Sequence, residues 1–290
     1  MNCVLQTGTL ESGAPRLRQH RMEAALMSKP AAAATRALDP QFAALQREYG
    51  ELRREVFEAE QVQRKLTGPR RVECGGYEIV SETFASRSVS GDFFCAARFG
   101  STVMFAVGDI AGKGLAAGMW VSHLVSLIRV HAASALAPAE ATAAINEHLL
   151  RLQAGVPLTS MFLVRLDTAR HELEYCNAGH PPALLLRRDQ AIQLDRGGPV
   201  LGAIGNARYQ YGRVKLEPRD ALLCYSDGLS ESVNRSEEEF GAERVVSTAK
   251  SAGALNCESL VFAVLGAVQD FIGTAPRRDD MSLVVMRRFE

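Results

Sequence analysis

Four apolar, strand-like runs in this 290-residue chain each meet an aspartate at one end, and that repeated layout constrains the fold more than any other feature. Residues 103–107 run into Gly108-Asp109-Ile110-Ala111-Gly112-Lys113-Gly114, and residues 222–225 run into Ser226-Asp227-Gly228. Arg278-Asp279-Asp280 stands just before the run 281–286, and Ser90-Gly91-Asp92-Phe93-Phe94 lies by an early strand. An acid at a strand end is exposed, and a neighbouring glycine lets the backbone come close to a ligand. A single Asp-Gly step is an ordinary turn. Four such sites in one unit gather carboxylates that repel one another unless a cation holds them. Oxygen-only ligands suit Mg²⁺ or Mn²⁺, and the lack of nearby His and Cys argues against zinc.

The segments between these sites predict the scaffold. Strand-like runs cover 102–110, 161–167, 172–176, 183–186, 221–226 and 281–286, separated by turn residues such as Asp167-Thr168-Ala169-Arg170. Helices are expected over 115–134, 138–153 and 256–272. Strand follows strand through the middle of the chain, which favours antiparallel sheets covered by helices, an α+β arrangement, over a strictly alternating doubly wound sheet.

Ahead of this unit, residues 1–40 show no sustained periodicity and are expected to form a flexible tail. Over 41–66 the pattern changes. Phe42, Leu45, Tyr49, Leu52, Val56, Ala59, Gln63 and Leu66 recur in steps of three and four, with Glu, Gln and Arg between them. This is a heptad seam, weakened towards its end by Ala59 and Gln63. It fits either an amphipathic helix packed on its own domain or a dimeric coiled coil, and Thr67-Gly68-Pro69 stops it. The resulting organisation is a tail over 1–40, a helical linker over 41–68 and one domain over 70–290.

Lys+Arg and Asp+Glu both total 33, so the formal net charge of zero provides no general field for nucleic acid. The six cysteines contain no C-x-x-C pair, no apolar run reaches membrane-spanning length, and the N-terminus lacks a signal-peptide pattern. A cytoplasmic protein, not bound to membrane, is expected.

Six segments in order resemble one known motif series: SGDFF (90–94), GDIAGKG (108–114), LTSMF (158–162), NAGHPP (177–182), YSDGLSES (225–232) and RDDMSLVV (278–285). The series is that of the SpoIIE/RsbU branch of the PPM, or protein phosphatase 2C-like, family, and the resemblance covers residues 75–290. It implies an αββα sandwich of two antiparallel sheets flanked by helices, with two Mn²⁺ or Mg²⁺ ions at one end. By that resemblance Asp109 bridges the two ions, and Asp227 and Asp279 complete one site. Asp92 and the main-chain carbonyl of Ile110 serve the other, while Asp280 stands as the alternative to Asp279. The implied activity is hydrolysis of phosphoserine or phosphothreonine on a protein by a hydroxide held between the two metals. In this branch the substrate is typically a STAS-type anti-sigma-factor antagonist, and homodimerisation through 41–66 or a separate partner is expected to control activity. Cys95 stands where the family often has an acid, and Phe84 or a neighbour where it often has proline.

Other residues invite readings that the pattern does not support. Gly112-Lys113-Gly114 lacks the first glycine and the hydroxyl residue of a Walker A loop. Lys113 is expected to be solvated, His180 and Asn177 to fix their loop, and Trp120 to be core. Two rival functions stay open at this stage: a non-catalytic interaction module, and a metallophosphoesterase acting on small molecules.

Overall fold

The computed structural model describes residues 16–134, 136–152, 155–252 and 256–289, with side chains from residue 40 onward. The chain divides into two compact units, one ending at Glu55 and the other running from Val56 to Glu290. The long helix α1 (Arg16–Thr67) belongs to both. It starts well before the expected residue 41, so the predicted tail is helical backbone over 16–40. Its residues 1–15 lie outside the described residues. Ala, Leu, Arg, Met and Gln dominate residues 16–40, and these cost least in a helix. Pro30 and Pro40 oppose that preference, because each lacks the amide a helix interior uses, so local propensity does not by itself account for the helix there. Residues 56–67 of the expected linker fall within the second unit.

The seam on α1 divides at that same point. Phe42, Leu45, Tyr49 and Leu52 are each more than half exposed, whereas Gln63 is 8% exposed. The last turns of the helix thus fit the reading of a helix packed on its own domain, while the apolar residues of its earlier turns stay exposed. Gly68, at φ 108°, ends it as expected.

The second unit opens with β1 (Arg71–Cys74), β2 (Tyr77–Phe84), β3 (Asp92–Phe99) and β4 (Thr102–Ile110). Helices α2 (Leu115–Ala133) and α3 (Pro138–Arg151) follow, then β5 (Thr159–Asp167), β6 (Glu172–Ala178), β7 (Ala183–Arg187) and β8 (Gln190–Leu194). Next come β9 (Gly197–Gly198), β10 (Gly212–Lys215), β11 (Ala221–Tyr225) and the single turn α4 (Asp227–Ser230). Helices α5 (Gly241–Ser251) and α6 (Cys257–Ile272) precede the last strand, β12 (Met281–Arg288).

One sheet has the order β1-β2-β12-β11-β7-β8, the other β10-β6-β5-β4-β3 with β9 beside β6. Among the described pairs only β6 with β9 is parallel. Three apolar layers hold the stack together. Phe94, Phe105, Val107, Phe162, Cys224 and Val284 fill the space between the sheets. Leu260, Val264 and Val268 of α6 cover the first sheet, and Val121, Leu124 and Ile128 of α2 cover the second. Each fully buried side chain of this size contributes roughly 1.5–3 kcal/mol. The architecture is the expected αββα sandwich.

Local signals place the helices. Asn256 caps α6 by accepting from the Ser259 amide at 2.8 Å. Pro138 opens α3, where Glu140 reaches back to the Ala137 amide at 3.2 Å. Helix α2 is long and apolar enough to cross a membrane by composition alone. Its apolar side is spent on β3 and β4.

Candidate metal centre

Strand register brings the acids together. Asp92 and Asp109 are direct partners across β3 and β4, and Asp109 is also opposite Ser160 on β5. In the facing sheet β11 pairs with β12, so Asp227 just after one strand and Asp279–Asp280 just before the other share an end. Side chains alternate faces along a strand. Phe94, Val107, Cys224 and Val284 point between the sheets, and two residues further on Asp92, Asp109, Ser226 and Ser282 do the same. The sandwich thus ends in a polar layer of acids and hydroxyls above an apolar floor.

Asp92 is 4% exposed. Burial pushes its carboxyl well above the ordinary range, and the Asp109 charge adds to this, although the Ser282 and Ser226 hydroxyls hydrogen-bond to it. Its Oδ2 has no hydrogen-bond partner. Asp109 is pushed up to about 6, first by burial and then by the charges of Asp227, Asp279 and Asp280. Both shifts come first from burial and second from neighbouring negative charge.

The remaining acids differ in what they already hold. Asp227 Oδ1 accepts from the Gly228 amide at 2.7 Å. Asp279 is half exposed, with Oδ1 accepting from the Asp280 amide at 2.9 Å and Oδ2 2.9 Å from Lys113 Nζ. Asp280 is 5% exposed and fully used. Its Oδ1 accepts from the Ser86 amide at 2.7 Å and hydroxyl at 2.8 Å, and its Oδ2 from the Ser90 hydroxyl at 2.7 Å and Gly91 amide at 2.8 Å. Burial alone would raise its carboxyl, but these four donors outweigh it and hold it below the ordinary value. Of the pair read as alternative ligands, Asp279 therefore keeps an accessible carboxylate, and Asp280 clamps the loop ahead of Asp92.

Glycine is required beside these groups. A Cβ on Gly91 would lie 2.9 Å from the Ile110 carbonyl oxygen and 3.1 Å from Asp109 Oδ1. A Cβ on Gly228 would lie 2.0 Å from the Asp280 carbonyl oxygen. The Ile110 carbonyl thus sits at the same end as the acids.

Among the described residues no three His, Cys, Asp or Glu side chains are gathered tightly enough to hold an ion as they stand. Asp279 Oδ2 lies instead on the Lys113 ammonium. The donor set nonetheless fits a hard divalent cation: every candidate atom is oxygen, one buried carboxylate oxygen is unpartnered, and the Asp92 and Asp109 carboxyls are raised by burial first and by neighbouring acids second.

His180 is 4% exposed, and burial pushes its imidazole down to about 4. Its ring Nδ1 is 2.9 Å from the Ser160 hydroxyl, and its backbone exchanges hydrogen bonds with the Asn177 side chain. Both residues fix their loop, as expected. Trp120 packs at the edge of the α2 layer. Lys113 is not simply solvated, since it also donates to the Arg278 carbonyl at 2.7 Å. The sequence reading passed over Ser86, Ser90, Ser226 and Ser282. Ser226 and Ser282 stand two residues from the core residues Cys224 of β11 and Val284 of β12; nothing local marks Ser86 as a partner of Asp280.

The family described as Stage II sporulation protein E (SpoIIE) matches residues 100–289, well over half of the chain. The chain belongs to the SpoIIE family. Its relatives place it in the SpoIIE/RsbU-like branch of the PPM phosphatases. Phosphoserine phosphatase RsbU of Bacillus subtilis is 23% identical over 244 residues, covering 82% of this SpoIIE-family chain and 71% of RsbU. Protein IcfG of Synechocystis is 26% identical over 192 residues, which is 56% of this chain, and the match spans only 30% of IcfG. The solved RsbU and RsbW domains of a Mycobacterium tuberculosis protein align at TM-score 0.64 and 26% identity, over 74% of this chain and 60% of that one. The SiaA PP2C domain of Pseudomonas aeruginosa aligns at TM-score 0.72 and 18% identity, over 86% and 100%. The catalytic domain of the serine threonine protein phosphatase PstP, solved with two manganese ions, aligns at TM-score 0.52 and 14% identity, over 74% and 99%.

Proposed function

We propose that this SpoIIE-family protein is a Mn²⁺- or Mg²⁺-dependent protein phosphatase that hydrolyses phosphoserine or phosphothreonine in bacterial signalling. Its substrate on this reading is a STAS-type anti-sigma-factor antagonist. The observation that carries the proposal is the end of the sandwich where Asp92, Asp109, Asp227 and Asp279 converge and Asp109 is pushed up to about 6 by burial and its acidic neighbours.

Asp109, with Asp227, Asp279, Asp92 and the Ile110 carbonyl, would hold the divalent ions on this reading, Asp109 standing among the acids whose charges raise it. A bound pair of ions supplies positive charge for the phosphoryl oxygens and acidifies water there. The protein orients its own share: Ser226 and Ser282 hold Asp92, and Asp280 holds the loop that leads into Asp92. Side-chain nucleophiles have no part. Cys95 and Cys224 are buried within the layers, and burial keeps both thiols protonated, Cys95 at about 12. The buried, neutral His180 is likewise no proton donor to a leaving group.

The exposed seam of Phe42, Leu45, Tyr49 and Leu52 supports a homodimer through the first half of the 41–66 segment. The described cysteines are all free and buried, which suits action in the reducing cytoplasm.

The test is Mn²⁺-dependent release of phosphate from an aryl phosphate and from a phosphorylated STAS protein, with Asp109→Ala and Asp227→Ala as controls. Activity on both that disappears in both variants is the expected result. No release from either substrate overturns the enzyme reading, and activity that survives both substitutions overturns the metal assignment. Turnover of small phosphate esters without any of the phosphoprotein would replace the protein substrate with a small molecule.

A further inference from the structure

We propose that Lys113 is an internal counter-ion for Asp279, held on that carboxylate until a divalent cation displaces it. The inference rests on the metal-centre reading above. Lys113 belongs to the loop after β4, which also carries Asp109 and Ile110, yet its ammonium is anchored on the approach to β12. There it is 2.9 Å from Asp279 Oδ2 and donates to the carbonyl of Arg278 at 2.7 Å. One positive charge therefore ties together the ligand-bearing loops of the two sheets.

The two groups on Asp279 are not equivalent. Oδ1 accepts from the amide of the next residue, a donor fixed by the chain that leaves a lone pair free for ligation. Oδ2 faces the Lys113 ammonium, and one oxygen does not keep an ammonium at 2.9 Å while also binding a doubly charged ion, because the two positive charges repel. Loading therefore requires Lys113 to leave.

The loop is built for that movement. Lys113 lies between Gly112 at φ 119° and Gly114 at φ 76°, and a Cβ on Gly112 would meet nothing within 4 Å. Both partners of the ion pair are partly exposed, at 35% and 52%, so the pair is weak and its rupture costs little. A dication in the field of Asp109, Asp227 and Asp279 gains more than the single ammonium loses. Until then Lys113 keeps Asp279 from being repelled out of the site. It is a positioning residue, and it competes with the ion it prepares for.

The experiment is isothermal titration of the full chain with Mn²⁺ at low salt, comparing the natural protein with Lys113→Met and Lys113→Arg. Removing a competitor of this strength tightens Mn²⁺ binding roughly two- to fivefold in Lys113→Met, while Lys113→Arg stays near the natural value. A second measurement needs no variant. Labelling of Lys113 by an amine-reactive reagent, read by peptide mass mapping, is expected to rise when Mn²⁺ is added. Mn²⁺ uptake with Lys113→Met binding no tighter than the natural protein overturns the proposal, as does labelling unchanged or reduced by Mn²⁺. No Mn²⁺ uptake by the natural protein overturns the metal-centre reading, and this inference falls with it.

Discussion

Asp279 and Asp280 are adjacent and chemically identical, and substituting each with asparagine is expected to produce opposite defects. In Asp280→Asn the new side chain keeps one carbonyl oxygen but presents an NH₂ group to either the Ser86 or the Ser90–Gly91 donors. Two of the four hydrogen bonds are lost, and a buried backbone amide is left facing another donor. Bonds to a buried charge are worth about 1.5–3 kcal/mol each, and partial relaxation brings the expected loss to about 3 kcal/mol. For a unit of this size that lowers Tm by about 6–12 °C. In Asp279→Asn the carboxylate lost is half exposed and its ion pair partly solvated, so stability changes by less than about 1 kcal/mol. Mn²⁺ binding should nevertheless fall by orders of magnitude. The assay is differential scanning calorimetry of the metal-free proteins together with Mn²⁺ titration. If Asp279→Asn lost the stability while Asp280→Asn stayed stable and lost only metal binding, the assigned roles would be reversed.

Three further outcomes are expected. His180 binds a proton at about 4 when folded and near 6.5 when unfolded, so the unfolded state holds more protons in between and stability falls as pH drops. Between pH 7 and pH 5 this amounts to about 2 kcal/mol, and urea melts of His180→Gln should show an acid loss smaller by that amount; an equal loss would contradict the buried neutral assignment. Gly228→Ala places a methyl group 2.0 Å from the Asp280 carbonyl oxygen, a backbone atom that has no rotamer to escape into. It should cost about 1–3 kcal/mol in a thermal melt and weaken Mn²⁺ binding at least about tenfold, and a natural Tm would refute the contact. The double substitution Leu45→Glu with Leu52→Glu should convert a dimer to a monomer in light scattering without changing the Tm of the 56–290 unit. A dimer that survived would show that the exposed seam is not its interface.

Much of the fold was legible because it is written in local periodicity. Apolar runs within 102–110 and 281–286 predict strands buried on both faces, and the helices at 138 and 256 carry their own start signals. The short strands β1, β8, β9 and β10 escaped notice, and so did the eight-residue β2, whose apolar residues are interrupted by Glu78, Ser81 and Glu82, and helix α5. The heptad seam was legible as a pattern but not as a partner choice. Its Gln63, read as a flaw, donates to the Ser90 carbonyl at 2.8 Å from a buried position, a contact 27 residues away that no local window contains.

The sequence by itself determined the inventory of the site: acids at strand ends, glycines beside them, oxygen as the donor, and no cysteine or histidine nucleophile. That Asp92 and Asp109 face the space between the sheets came from the packing of Phe94 and Val107, two residues along the same strands. The division of labour between Asp279 and Asp280 was decided only by the tertiary structure. Both precede β12, where strand alternation has not yet begun to dictate direction, so each side chain turns towards whichever partners the fold delivers. For Asp280 those partners are donors near residue 90 in the same sandwich, and for Asp279 the ammonium of Lys113 from the opposite sheet.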